Sequence, residues 1–352
     1  MPDQPIGFFE TLALHPALFI GCCVVLGLLV GSFLNVVIYR VPIMMDNELR
    51  ADCAALAAAE APPADSQTSS DAPDSLEATE SAVAPPTSGT SSAAEGALEP
   101  PVSEVAAEEP VAAAPAFNLL VPRSACPSCH TLIRAQENIP VLSWLMLGGK
   151  CSSCGAAISK RYPLVELTTG ILSGFVAWQL GFGMTTVAAL VFTWFLIALT
   201  MIDFDTQFLP DQLTYPLLWL GLLVSLTNPV WAPSAEALTP RDSIIGAASG
   251  YLSLWGVYWA FRGLTGKEGM GYGDFKLFAA LGAWMGWQML LPIIVFASGV
   301  GAVFGIVVMI RQHKGRDTQI AFGPFLAIAG WLALMFGHRL VSGYLAQFNA
   351  PG

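Results

Sequence analysis

Leu190-Val191-Phe192-Thr193-Trp194-Phe195-Leu196-Ile197-Ala198-Leu199-Thr200-Met201-Ile202-Asp203 is the stretch whose reading decides the fold. An apolar run of this length, with two threonines as its only polar members, reads as a membrane span. It ends on a carboxylate. An ionisable group at membrane depth costs roughly 2.5–3.5 kcal/mol on insertion scales, so it is seldom present without a task. Working outward, a second acid stands in the same relation to another apolar run: Asp274 closes Gly271-Tyr272-Gly273-Asp274 just ahead of segment 275–289. Two carboxyls brought together can share one proton, one serving as base and the other as acid, as in aspartic hydrolases.

The composition agrees with a membrane setting. Of 352 residues, 54% are hydrophobic and 12% charged, with mean hydropathy +0.60, which favours an integral membrane protein over a large soluble core. The net charge of −11 is not spread along the chain, because residues 46–109 hold 14 of the 26 acidic residues and Arg50 as their one base. That acidity belongs to a segment rather than to the apolar part, and no nucleic-acid partner is expected. The first 16 residues carry Asp3 and Glu10 without Lys or Arg. The basic start of a cleavable signal peptide is therefore not expected.

Apolar spans are expected at about 17–39, 164–181, 185–202, 213–228, 243–262, 275–289, 290–310 and 321–343. The sixth is short and holds Gly282 and Gly286, which makes its crossing the least secure. The fold class that follows is an all-α polytopic membrane protein of about eight transmembrane helices. Its expected parts are an N-terminal segment with the first span (1–43), a disordered Ala/Pro/Glu/Ser-rich insert (44–116), a small cysteine-bearing loop domain (117–162) and a multi-span core (163–346). Arg40 reads as the cytoplasmic stop of the first span. With the N-terminus outside, Arg40, Arg50, Arg123, Arg134, Lys150, Lys160, Arg161, Arg262, Lys267, Lys276, Arg311, Lys314 and Arg316 fall inside, leaving Arg241 and Arg339 outside. This is the positive-inside bias. It puts both Asp203, at the end of an inward-running helix, and Asp274, at the start of an outward-running one, at the cytoplasmic boundary.

The loop domain carries Cys126-Pro-Ser-Cys129 and Cys151-Ser-Ser-Cys154. Two C-x-x-C knuckles offer four thiolates, a closed tetrahedral zinc site with no open position, hence structural. The sequence Cys126-Pro127-Ser128-Cys129-His130 also matches a c-type haem attachment pattern, but the charge bias puts the loop inside and haem would leave the second knuckle unexplained. A disulfide pair is disfavoured by the same reducing side. Cys22 and Cys23 read as small apolar residues of the first span, and Cys53 carries no signal.

Each acidic segment has a bland reading beside the chemical one. Ile202-Asp203-Phe204-Asp205, followed by Leu209-Pro210-Asp211, could be a polar loop turned by Pro210. Asp274 could cap a helix after a glycine-rich turn, although a cap can also be catalytic. Gly271 and Gly273 would let an extended substrate backbone approach. A phosphate-loop reading is weak, since G-M-G-Y-G-D lacks the lysine and a preceding strand.

Together the segments resemble the bacterial type IV prepilin peptidases, membrane aspartic proteases of the GxGD type. The resemblance is carried by G-S-F-L-N-V-V-I-Y-R (31–40), P-R-S-x-C-P-x-C (122–129), N-I-P-V-L-S-W-L (138–145), K-C-S-S-C-G (150–155), R-Y-P-L-V-E (161–166), I-D-F-D-x-x-x-L-P-D (202–211) and G-M-G-Y-G-D-F-K-L (269–277). The long acidic insert departs from the compact loop usual in that family. By position, the resemblance implies Asp203 and Asp274 as the catalytic pair, with Asp205 and Asp211 as supports of their loop. Glu166 has two readings, partner of a nearby cation or of bound substrate. The resemblance further implies removal of short basic leader peptides from prepilins and pseudopilins at the cytoplasmic face of the bacterial inner membrane, with the apolar stem left among the membrane lipid. N-methylation of the new terminus by S-adenosylmethionine is implied by resemblance alone. Gly148-Gly149-Lys150 is a weak candidate for the methyl-donor site that a plain tight turn explains equally well. Two other classes are a proton-relaying transporter, which would prefer acids near the bilayer midplane on broken helices in repeated halves, and a non-catalytic scaffold around the zinc knuckle.

Overall fold

The computed structural model describes residues 7–60, 117–231, 236–267, 269–312 and 321–348. They form α1 (Phe8–Leu14), α2 (Pro16–Glu60), α3 (Leu142–Met146), α4 (Arg161–Leu180), α5 (Met184–Thr206), α6 (Asp211–Ser225), α7 (Pro240–Thr265), α8 (Tyr272–Met285), α9 (Leu290–Gln312) and α10 (Gly323–Phe348), with short 3-10 turns at Ala135–Asn138 and Trp287–Met289. No strand occurs among the described residues, so the fold is all-α. Each of the eight expected spans coincides with one of the eight longest helices. Four, at Pro16–Ala57, Met184–Thr206, Pro240–Thr265 and Trp287–Arg311, are individually long and apolar enough to cross a bilayer.

Breaks between the helices follow local chemistry. Gly181, at φ 71°, closes α4 with its N–H on Ala177 O. Gln207 ends α5 in the left-handed region, and Pro210 then supplies the extended backbone from which α6 starts. Thr239 caps α7 by accepting from the Asp242 N–H, and Gly266 terminates it at φ 69°.

Two expectations change. The helix that carries the first span, α2, continues past Arg40 to Glu60, so residues 44–60 of the segment expected to be disordered are helical. Their sequence, rich in Ala, Leu, Met and Glu and free of glycine and proline, is strongly helix-forming. The rest of that segment lies outside the described residues. Arg40 itself is buried. Its guanidinium donates to Asn118 O at 2.8 Å and Pro122 O at 2.5 Å, and it lies 5.7 Å from the centre of the Phe117 ring. It straps the start of the cysteine loop to α2 instead of marking a solvated end.

The short sixth span is the centre of the helical core. Fourteen residues of α8 reach about 21 Å at 1.5 Å per residue, well under a bilayer's hydrocarbon thickness of about 30 Å. From Asp274 to Met285 every residue except Lys276 is buried. A helix apolar all round needs protein on every side, and here α6, α7, α9 and α10 supply it. Trp284 locks the centre: its indole N–H donates to Leu217 O at 2.7 Å, its carbonyl accepts from Trp231, and its ring lies 4.8 Å from that of Phe192. Gly246 of α7 and Gly282 of α8 bring their backbones into direct contact, so neither site has room for a Cβ. Small residues of this kind let membrane helices approach closely. Gly246→Val is expected to push α7 off α8, lowering the thermal unfolding midpoint in detergent by at least about 5 °C, the shift that roughly 1–2 kcal/mol produces.

Candidate active site

Asp203 lies in the last turn of α5 and Asp274 in the first turn of α8, and both are buried, at 4% and 7% exposure. They lie close enough to act on each other electrostatically. Leu209, itself buried, is the wedge beside them. Its side chain lies where a Cβ on Gly273 would sit, 2.7 Å from that point, and also 3.2 Å from the Cβ position of Gly323. The residue flanking Asp274 and the residue facing Asp203 therefore share one neighbour.

Their hydrogen bonding differs. Asp274 is the third residue of α8, whose N-cap is Gly271 and not Asp274. Its N–H donates to Gly271 O at 3.2 Å, while its carboxylate accepts from the Gly271 N–H. The Asp203 carboxyl faces the N–H of Gly323 at the start of α10. Its Oδ2 is buried with no hydrogen-bond partner among the described residues. Leaving a buried carboxyl oxygen unpaired costs a few kcal/mol, the kind of cost found at sites where a ligand completes the bonding.

The two neighbouring acids turn away from this pair. Asp205 forms a two-pronged ion pair with Arg161, with Nη1 to Oδ1 at 2.8 Å, tying α5 to the start of α4. Asp211 takes Lys276 Nζ at 2.6 and 2.7 Å, and that ammonium also lies 5.1 Å from the Tyr215 ring centre, tying α6 to α8. All four side chains are partly exposed, so each pair is worth about 0.2–1 kcal/mol.

The glycines have separate reasons. At Gly273, Leu209 Cβ lies 2.7 Å from where a Cβ would stand, so the position has no room for a side chain. A Cβ on Gly271 would meet nothing nearer than Asp274 Oδ2 at 3.9 Å, so that side of the pair is open.

Glu166, expected to partner a cation or bound substrate, has backbone and hydroxyl partners among the described residues. It is buried in α4, and its Oε2 accepts from the Val141 N–H at 2.7 Å and hydrogen-bonds Ser32. Val141 sits at φ 60°, with the next N–H bonded back to Pro140 O. A β-branched residue in that region is strained, so Glu166 helps hold a tight turn of the 138–145 stretch against α4.

The residue that sequence reasoning missed is Gly323. A Cβ there would come 2.5 Å from Asp203 Oδ2 and 3.1 Å from its Cγ, so only glycine fits without a shift. The signal available was Gly323-Pro324 opening the last span, which reads as an ordinary helix start.

In the loop domain the four cysteine sulfurs lie within 4.8 Å of one another, and Cys126 Sγ is 3.8 Å from Cys154 Sγ. Bonds of about 2.3 Å in a tetrahedron put thiolates roughly 3.8 Å apart, so the donor set fits a four-sulfur metal site. Both knuckles are built alike. In the first, the Cys126 N–H donates to Thr131 O and the His130 N–H to Cys126 O. In the second, Cys151 and Gly155 repeat the pattern with Ala156 and Cys151. His130 and Gly155 occupy equivalent left-handed turn positions, φ 56° and 72°. Hydrogen bonding with Thr131 pulls the Cys129 thiol down to about 6, while the neighbouring thiols push Cys154 up to about 11. Gly148 and Gly149 both have positive φ, and Gly149 lies beneath the Trp144 ring, which is the tight-turn reading.

The Bacterial Peptidase A24 N-terminal domain matches residues 25–180, and the Type IV leader peptidase family matches residues 190–306. A Stutzerimonas stutzeri protein named prepilin leader peptidase/N-methyltransferase is 48% identical over 336 residues, covering 96% of this chain and 97% of its own. Proteins of the same name from Pseudomonas aeruginosa and Aeromonas salmonicida are each 46% identical. The first covers 96% of this chain and 97% of its own, the second 94% and 95%. No solved structure shows a significant match. With such identity over nearly the whole of both chains, and with both acidic segments inside the second matched region, the protein belongs to the type IV leader peptidase family.

Proposed function

We propose that the protein is a membrane aspartic endopeptidase that removes the basic leader of type IV prepilins and pseudopilins, then N-methylates the exposed terminus. The observation that carries this reading is the burial of Asp203 and Asp274 within electrostatic reach of each other, one with an oxygen that has no hydrogen-bond partner among the described residues. The substrate comes from the names of the relatives.

One carboxylate takes a proton from water, whose oxygen attacks the scissile carbonyl. The other carboxyl donates its proton to the carbonyl oxygen, giving a neutral diol. Collapse of the diol breaks the C–N bond, with a proton delivered to the departing amine. The proton is shared by the pair, so neither aspartate is singled out as the acid. Asp205 and Asp211 hold the helix ends through Arg161 and Lys276, Gly271 leaves the approach open, and Glu166 holds the 138–145 turn. The proposed setting is the bacterial inner membrane, N-terminus periplasmic, with the loop domain and the pair at the cytoplasmic face. Cys126, Cys129, Cys151 and Cys154 would hold a structural zinc ion. S-adenosylmethionine would supply the methyl group to the new amine.

The test is incubation of the purified full-length protein with a prepilin, the cut mapped by mass spectrometry, followed by addition of methyl-labelled S-adenosylmethionine. Cleavage after the leader and label on the new terminus are expected. Absence of any cut would overturn the peptidase reading, and cleavage without label would remove the methyltransferase. Cys126→Ser and Cys151→Ser are each expected to lose the bound zinc seen at one equivalent in wild type, read by elemental analysis. A wild-type protein purified without metal would end the zinc assignment.

A further inference from the structure

We infer that the groove between α9 and the start of α10 receives the apolar stem of the substrate while its scissile bond lies at Asp203 and Asp274, an inference that rests on the peptidase reading. The groove has a volume of about 240 Å³ and is lined by Ser298, Gly301, Ala302, Ala321, Phe322 and Phe325. Ser298, Gly301 and Ala302 stand at i, i+3 and i+4, one face of α9. Phe322 and Phe325 form the opposite wall.

Three observations name the occupant. Phe322 is bonded to Gly323, whose N–H faces Asp203, so groove and carboxyl lie on either side of one short piece of backbone. Both aspartates are buried, and a peptide bond must reach them through an opening beside them. The groove's lining carries no charge and a single hydroxyl, which suits an apolar segment. Finally, of the four helices apolar enough to cross a bilayer, α9 is the least enclosed by protein, with 11% of its apolar window buried. What enters here comes sideways out of lipid. Small residues on one helix face are how membrane helices approach closely, and a Cβ on Gly301 would rest 3.4 Å from the Phe325 ring, in ordinary contact. The occupant is thus a transmembrane helix, two of whose side chains fill the groove.

The experiment uses the full-length protein in nanodiscs and a prepilin carrying a diazirine side chain in the first turns of its stem. Adducts are expected on residues 298–302 and 322–325. Ala302→Phe, which fills the groove, is expected to lower kcat/KM about tenfold more for stem-bearing prepilin than for a stemless leader peptide. Gly301→Ala, which clashes with nothing, should show the same bias more weakly. Adducts confined to other helices or to a second copy of the enzyme would overturn the inference, as would labelling by a photoreactive lipid that prepilin cannot displace. If Ala302→Phe fails to fold, the adduct map decides. Failure of wild type to cut any prepilin would instead remove the peptidase reading on which the inference stands.

Discussion

Asp203→Asn and Asp274→Asn are each expected to lower kcat/KM for leader removal by at least about 10³-fold, the scale lost when one member of a cooperating catalytic set is removed. Asparagine matches aspartate in shape but can neither accept the proton of water nor donate one to the carbonyl. Both residues are buried at helix ends, and asparagine keeps their shape, so the substitution removes chemistry and leaves packing in place. The unfolding midpoint should not fall, because neither side chain is in an ion pair with a cation and Asp203 Oδ2 has no hydrogen-bond partner to lose among the described residues. Asp205→Asn and Asp211→Asn provide the contrast. Each loosens a partly exposed ion pair, with Arg161 or Lys276, worth about 0.2–1 kcal/mol, and activity should drop less than about fivefold. Cleavage assays with purified variants check the ranking. Undiminished cleavage by either variant of the buried pair would sink the proposed centre.

Gly323→Ala should cost about 10²-fold in kcat with little change in KM. The added methyl carbon would stand 2.5 Å from Asp203 Oδ2 and 3.1 Å from Cγ, closer than real contacts allow. Leu209 Cδ1 would also crowd the added carbon, at 3.2 Å, so the strain is expected to fall on the carboxyl. Displacement of a catalytic group by about 1 Å costs on the order of 10²-fold. Gly263→Ala, where the methyl carbon meets nothing within 4 Å, controls for the general effect of adding a side chain and should match wild type. Steady-state kinetics on one prepilin substrate separates the two. A fully active Gly323→Ala enzyme would show that α10 does not set the position of Asp203.

Much of this architecture was legible in the residues. The spans could be placed because apolar runs and their breakers are local: Gly181, Pro210 and Gly266 stop or start helices in the structure where they interrupt hydrophobicity in the chain. The cysteine cluster was legible for the same reason, since C-x-x-C fixes each pair of sulfurs within one turn. Legibility ended where a residue's partner is distant. The partner of Glu166 could not be read because nothing in its own helix names the Val141 N–H. The bonds of Arg40 could not be read because its acceptors, Asn118 and Pro122, lie some eighty residues away. The insert looked uniform in composition, yet its first part has the propensity to prolong α2.

The sequence by itself determined that this is a polytopic helical protein with two acids at the ends of apolar spans and four thiols at metal-binding spacing. Those properties depend on hydrophobic length and short spacings, which tertiary contacts do not alter. Only the tertiary structure decided that Asp203 and Asp274 come within electrostatic reach of each other, that Asp205 and Asp211 are held in ion pairs, and that Gly323 arrives from the far end of the chain to face Asp203. Which helix faces pack together is set by non-local fit: the Gly246–Gly282 contact and the Leu209 wedge align α7, α8 and the loop after α5. No local pattern specifies that fit, and the candidate site exists because of it.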